Sequence, residues 1–197
     1  MYPLDLFESP NFPSNIIYTK GFLSPEESNI LLDYFLQLPT LAQGSVTLFG
    51  KTYPTPRLEA LFGDENLRYR YSNQLMQALP LCPTLLHLKE RVESATHAHF
   101  NCVLVNLYRN GMDSNGWHAD NEPELGKDPI IASLSFGASR MFQLKSLTTR
   151  ERITIPLHHG DLLLMGSGIQ RSWKHCIPKS PKIGEPRVNL TFRKIVT

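Results

Sequence analysis

An α+β fold, with helices first and a β-sandwich or jelly-roll core after them, is predicted by three observations. Helical signals fall in the N-terminal half, at about 24–38 and 83–96. From residue 101 the pattern changes to short strands punctuated by turns. The last strand alternates strictly between apolar and polar side chains. Helices followed by strands that close on one another give packed sheets buttressed by helix on one side.

Residues 1–20, rich in Pro and Asn, read as an irregular lead-in. Ser24 can cap a helix, Pro25 suits its first position, and Glu27 completes a capping box. Ile30, Leu31, Tyr34, Phe35 and Leu38 recur at helical spacing until Pro39 stops the run. The second helix places Leu85, Leu88, Val92 and Ala95 on one stripe. Between the helices, 44–72 reads as strands and loops, with Leu48-Phe49-Gly50-Lys51 at a hairpin tip and the aromatic run Tyr69-Arg70-Tyr71 beyond it. Strands are expected over 101–108, 130–136, 139–145, 152–157, 161–165 and 187–196. The expected organisation is a single domain, 1–197, with 1–97 as an N-terminal extension of helices and lid and 98–197 as the core.

Composition excludes several classes. Apolar residues are 41% of the chain and charged ones 19%, a globular rather than a disordered balance. Cys82, Cys102 and Cys176 are odd in number and widely spaced, which indicates neither a disulfide framework nor a zinc ribbon. A reducing, intracellular setting follows. Met1-Tyr2-Pro3-Leu4-Asp5 lacks a basic n-region and an apolar h-region, and no stretch approaches the ~18 apolar residues of a membrane span. Twenty basic against eighteen acidic residues give a net charge of +2, compatible with nucleic-acid binding through a local basic face.

The chemistry-bearing residues begin with His118-x-Asp120, which in an extended segment point to one face. His175 lies further on, expected just after a strand. Two histidines and one carboxylate on one face of an octahedron leave three positions open, the arrangement of non-haem Fe(II) oxygenases. On pattern alone, ordinary structural histidines and a hydrolytic zinc site stay open as alternatives. The last strand carries further weight. Val188, Leu190 and Phe192 face one side, and Arg187, Asn189, Thr191 and Arg193 the other. Two inward arginines are costly unless they meet anions. A dicarboxylate such as 2-oxoglutarate offers one carboxylate at its far end and another at the metal, and arginine binds carboxylates bidentately. Asn106 and Tyr108, sharing a face with Cys102 and Leu104, add an amide and a phenol. The bland alternative is an edge strand with solvated arginines.

Asn106-Leu107-Tyr108, His118-x-Asp120, Ser135-Phe136-Gly137-Ala138-x-Arg140, His175 and Arg187-Val188-Asn189-Leu190-Thr191-Phe192-Arg193 together resemble the AlkB family, Fe(II)/2-oxoglutarate dioxygenases that repair alkylated nucleic acids. The resemblance covers roughly 44–197 in order. Phe49-Gly50-Lys51, Gly63-Asp64 and Tyr69-x-Tyr71-Ser72 look most like the members that act on duplex DNA, including eukaryotic nuclear enzymes. It implies a double-stranded β-helix with an N-terminal nucleotide-recognition lid. Iron would be held by His118, Asp120 and His175, and 2-oxoglutarate by Asn106, Tyr108, Arg187, Asn189, Thr191 and Arg193. Tyr71 matches the aromatic that stacks on a flipped base, with His118 behind it, and Phe49 matches the wedge that fills the duplex where the base has left. Gly50, Lys51, Tyr69, Asn121, Glu122 and Arg140 complete the implied substrate contacts. Asn121 stands where close relatives carry Asp, and Tyr71 where the nuclear duplex-DNA enzyme carries Phe.

The activity implied is oxidative demethylation of bases such as 1-methyladenine or 3-methylcytosine in DNA, with Fe(II), 2-oxoglutarate and O₂. Lys51, Arg57, Arg68 and Arg70 are expected on the lid as phosphate contacts or as a solvated surface. Two other readings are a dioxygenase of the same fold acting on methylated RNA or protein, and a non-catalytic nucleic-acid-binding module. A monomer off the membrane is expected, cytoplasmic in a bacterium or nuclear in a eukaryote.

Overall fold

The computed structural model describes residues 12–48, 50–65, 67–71 and 74–196. In chain order its elements are β1 (Ile16–Thr19), α1 (Pro25–Leu36), β2 (Ala42–Leu48), β3 (Lys51–Gly63), β4 (Arg68–Tyr71), β5 (Gln74–Gln77), β6 (Leu79–Pro80) and α2 (Pro83–Thr96). There follow β7 (Cys102–Tyr108), β8 (Asn115–His118), β9 (Ile131–Gly137), β10 (Arg140–Ser146) and β11 (Arg152–Leu157). The last are β12 (Leu162–Met165), α3 (Ile169–Ser172), β13 (Trp173–Ile177) and β14 (Arg187–Arg193).

Two antiparallel sheets form the core. The larger runs β1-β12-β9-β14-β7-β3-β2, with β6 beside β3, and the smaller runs β11-β10-β13-β8. This is the expected jelly roll, the double-stranded β-helix, with helices against one face. β4 and β5 make a separate ribbon. The lead-in expected to be irregular contains β1, which pairs with β12 at the sheet edge. Residue 97 marks no break in the sheet either, because β3 pairs with β7 from Leu58–Leu107 to Gly63–Cys102. Among the described residues no helix is long and apolar enough to cross a membrane.

Both predicted helices form, each burying a narrower stripe than its periodicity suggests. The Ser24 hydroxyl accepts a hydrogen bond from the Glu27 amide at 3.2 Å. The Glu27 carboxylate does not close the capping box but pairs with Arg91 of α2, tying the helices together. On α1, Leu31 and Phe35 are buried while Ile30 is 71% exposed. On α2, Leu85, Leu88 and Val92 are buried but Ala95 is exposed. A stripe stepping 85, 88, 92 next reaches 96, and Thr96 turns inward with its hydroxyl on the Val92 carbonyl at 2.7 Å. These helices cover the outer face of the large sheet through Val103, Val105, Leu107, Val188, Leu190 and Phe192. A second apolar cluster, including Phe142, Leu144, Ile155, Leu163 and Trp173, fills the space between the sheets.

The alternation of β14 is realised in full. With its apolar side chains against the helices, the register sets Arg187 beside Tyr108 and Asn189 beside Asn106 on the inner face. Entry into β14 is fixed at the β9–β10 turn. Gly137 has φ +79°, and the Ala138 amide donates to the Pro186 carbonyl at 2.9 Å. A Cβ at Gly137 would lie 2.4 Å from that carbonyl oxygen. Gly137→Ala is expected to cost about 2 kcal/mol or more, from the left-handed backbone and the clash together, read from urea unfolding. An unchanged midpoint would show that the 186–187 segment gives way freely.

Candidate active site

The two candidate ligand histidines face each other by strand register. His175 is expected just after a strand but sits inside β13, directly paired with His118 of β8. Their ring centroids are 4.2 Å apart. Phe142 stacks on His175 from within the small sheet, at 5.2 Å. Asp120 follows β8, and the ligand atoms of His118, Asp120 and His175 all lie within 4.8 Å of one another.

The hydrogen bonds leave the correct atoms for a cation. His118 Nδ1 lies 2.8 Å from the Gly116 carbonyl, which can only accept, so Nδ1 carries the proton and Nε2 presents its lone pair. That Nε2 faces Asp120 Oδ1 at 3.6 Å, lone pair toward lone pair, and lies 3.3 Å from Asn115 Nδ2, a contact that a bound cation would replace. Asp120 Oδ2 is occupied separately, accepting from Arg193 Nε at 3.1 Å and Nη2 at 2.8 Å. Asp120 Oδ1 and His175 Nδ1 are buried without a hydrogen-bond partner among the described residues. Native interiors rarely leave such atoms unsatisfied. A divalent cation between them would satisfy the site.

The protonation states agree with ligation. Burial, and then the adjacent His118, push His175 down to about 3. Burial also lowers His118, outweighing the attraction of Asp120. Burial acts to raise Asp120, but Arg193 and the two histidines overcome it and hold the carboxyl at about 2. Neutral imidazoles and an ionised carboxylate are the forms that bind metal.

Beside this triad the inner face of the large sheet offers the expected anion cradle. Asn106, Tyr108, Arg187, Asn189, Thr191 and Arg193 line one pocket with His118, Asp120 and His175. Arg187 is 2% exposed, and its Nη2 donates to Ser135 Oγ at 3.0 Å. Its Nε and Nη1 are buried without an acceptor among the described residues. Burial lowers its pKa to about 10, so it stays cationic at neutral pH. Asn189 donates to Ser133 Oγ at 2.8 Å and accepts from the Thr191 hydroxyl at 2.9 Å. The donor-rich walls and the unmet guanidinium N–H groups fit a dicarboxylate whose far end meets Arg187.

The implied substrate contacts are placed less uniformly. Asn121 is exposed and Glu122 half-buried, immediately after the metal carboxylate. Burial, and then the neighbouring Asp120 charge, hold Glu122 above the usual carboxylate range. Gly50 and Lys51 are exposed at the β2–β3 tip, whereas Phe49 lies outside the described residues. The backbone of Tyr71 pairs with Gln74 in the β4–β5 ribbon; its side chain lies outside the description. Two expectations need correction. Tyr69 is fully buried with Leu61, Cys102 and Leu104, and the Arg193 guanidinium lies 5.8 Å from its ring centroid, so it supports the site from behind. Arg140, also buried, donates to the carbonyls of Asn110, Asp113 and Pro178 at 3.3, 2.8 and 2.7 Å, so it braces loops instead of reaching substrate.

Sequence reasoning missed Asn115, whose Nδ2 donates to His118 Nε2 at 3.3 Å, and Ser133 and Ser135 beneath the cradle. Strand alternation hides Asn115, because residues three apart face opposite sides, and only the irregular β8–β13 register brings it to His118. Sequence reasoning also left Arg57 on the surface, whereas that side chain is 3% exposed.

Comparison with known proteins agrees with this geometry. The profile of the 2OG-Fe(II) oxygenase superfamily matches residues 15–193. The chain is 42% identical to alpha-ketoglutarate-dependent dioxygenase alkB homolog 3 of Homo sapiens, over 95% of this chain and 68% of the relative. It is 38% identical to DNA oxidative demethylase ALKBH2 of Homo sapiens, over 91% of this chain and 72% of the relative. In fold it is similar to the solved structure of OsALKBH1, with a TM-score of 0.67 at 18% identity over 93% of this chain and 98% of the other. A prolyl hydroxylase of Trichoplax adhaerens is similar in fold, with a TM-score of 0.66 at 15% identity, over 92% of this chain and 83% of the other.

The depressed histidine gives a pH signature in the chelator-treated protein. In the unfolded chain His175 titrates near about 6.5, its ordinary value; folded, it titrates near about 3. Between these values the unfolded chain binds a proton that the folded one does not, so stability falls as pH drops below about 6.5, by about 1.4 kcal/mol per pH unit for one such group. His118, lowered in the same direction, adds to the slope. Urea unfolding between pH 7.5 and 5 reads this. His175→Ala is expected to be less stable throughout yet to lose stability less steeply, and an unaltered slope would contradict the assignment.

Proposed function

Because this chain belongs to the AlkB family within the 2OG-Fe(II) oxygenase superfamily, we propose that it removes N-linked methyl groups from bases such as 1-methyladenine or 3-methylcytosine in DNA, acting as a monomer. One observation carries this reading: a triad whose lone pairs converge beside an arginine with unmet buried N–H groups. A protein that merely bound nucleic acid would have no use for that combination. The three cysteines, all free, fit a reducing compartment.

His118, Asp120 and His175 would hold iron, and the cradle of Arg187, Asn189, Thr191, Arg193, Asn106 and Tyr108 would hold 2-oxoglutarate. When bound, Fe(II) with 2-oxoglutarate and O₂ supplies oxidation: one oxygen atom enters a methyl C–H bond, the other enters succinate, CO₂ leaves, and the N-hydroxymethyl group departs as formaldehyde. The protein's share is placement. Arg187 neutralises the far carboxylate in a dry pocket, where charged hydrogen bonds are strong. Arg193 holds Asp120 ionised and turned so that one oxygen faces the histidines. A base in a duplex cannot reach this depth, so it must be extruded. Tyr71 is assigned to stack on it, Phe49 to fill the vacated space, and Glu122 with Asn121 to meet its polar edge.

The deciding experiment places 1-methyladenine in single-stranded DNA, duplex DNA and RNA, and follows formaldehyde and succinate. Turnover on DNA is expected; activity only on RNA would move the substrate to RNA, and activity on none would sink the demethylase reading. The double variant His118→Ala/His175→Ala is expected to release no succinate even with added iron. Arg187→Ala removes hydrogen bonds to a charged group worth about 1.5–3 kcal/mol each, so KM for 2-oxoglutarate should rise about 10-fold or more. Phe49→Ala should reduce activity on duplex more than on single strands.

A further inference from the structure

Arg57 belongs to β3, the strand that leaves the lid hairpin tip, yet its guanidinium is buried behind the co-substrate pocket. Three described residues are among its partners. Nε donates to Asn106 Oδ1 at 3.0 Å, Nη1 donates to Asn115 Oδ1 at 3.2 Å, and Nη2 pairs with Glu59. Glu59 is itself buried, stands opposite Asn106 across the β3–β7 ladder, and accepts from the Thr55 hydroxyl at 3.4 Å. Both asparagines line the pocket.

Arginine can only donate, so each asparagine must turn its carbonyl oxygen toward Arg57 and its NH₂ away. For Asn115 that NH₂ meets His118 Nε2. For Asn106 one N–H makes a long 3.4 Å contact to the Leu104 carbonyl, and the other remains for a ligand in the pocket. An amide without this donor could turn its oxygen toward a carboxylate, a repulsive contact in place of a hydrogen bond. A planar fork held at three points removes that choice, and a lysine ammonium cannot reproduce it.

We propose that Arg57 is a positioning residue for 2-oxoglutarate: from the lid strand it locks the Asn106 amide with its donor toward the co-substrate. The inference rests on the assignment of Asn106 to 2-oxoglutarate, so the test must separate the two. Residues that orient ligand-binding groups through hydrogen bonds commonly cost 10- to 100-fold when replaced.

The test is 2-oxoglutarate affinity of the full chain loaded with Mn(II), by calorimetry, together with KM and kcat. Arg57→Lys keeps the charge pair with Glu59 but loses the fork; Arg57→Met/Glu59→Gln removes both charges, so no buried ion is stranded. Both should bind 2-oxoglutarate about 10-fold more weakly, with KM raised and kcat at saturation nearly unchanged. Asn106→Ala should weaken binding to a similar extent, and adding Arg57→Lys to it should weaken binding little further. Native affinity in both Arg57 variants, with Asn106→Ala impaired, overturns the inference and leaves the Asn106 assignment standing. Native affinity in all three overturns both. Fully additive losses overturn the inference as well, because Arg57 would then act independently of Asn106.

Discussion

Asp120 divides its carboxylate between two tasks, and the site depends on that division. Oδ2 takes two N–H groups of Arg193 from the large sheet, while Oδ1 faces His118 Nε2 on the small-sheet side. A buried ion pair contributes little net stability once desolvation is counted, so stability is a weak reason for this one. Its geometry explains it better. The pair bridges the two sheets, keeps the acid ionised, and turns the second oxygen toward the histidines. Because Arg193 ends the same strand that Arg187 begins, a single alternating strand sets both the carboxylate of the triad and the anion cradle.

The register of the small sheet is the second constraint. Pairing His175 with His118 places both imidazoles on the inner face, with no loop needed to carry either. A slip of one residue would send the histidines to the outer face and bring Lys174 or Cys176 inward. Trp173 and Ile177 anchor the register in the apolar layer on either side of His175. The candidate metal site is thus held by core packing, which suits a centre whose ligands must stay within about 0.5 Å of productive positions.

What was legible in the sequence follows from how much each residue's surroundings are local. The β14 face assignment was readable because strict alternation in a strand has one geometric meaning. β8 and β13 were not readable as strands, since each spans four or five residues and carries polar side chains that a loop would also carry. Arginine misled in both directions. Arg187 and Arg193 were rightly placed inside, but Arg57 was placed on the lid surface and Arg140 among the substrate contacts although both are buried. Nothing local distinguishes them: Arg140 is defined by carbonyls of Asn110, Asp113 and Pro178, and Arg57 by amides of Asn106 and Asn115, all distant along the chain. Tyr69 sits in an aromatic run that reads as lid, yet it is interior, because the apolar cluster of Leu61, Leu104 and Leu125 closes over it.

The lid strand and the catalytic core share one sheet. β3 begins at the exposed hairpin tip with Lys51, passes Arg57 and Glu59 at the pocket wall, and ends in the large sheet against β7. Its burial along the chain records the change, from exposed residues at 51–54 to buried ones at 59–63. From Lys51 to Pro54 it pairs with β2, and from Leu58 onward it also pairs with β7. In the proposed reading, reaching a base and presenting a co-substrate fall at two ends of one strand, which gives a physical reason for the fold to carry its lid on an extension of the catalytic sheet.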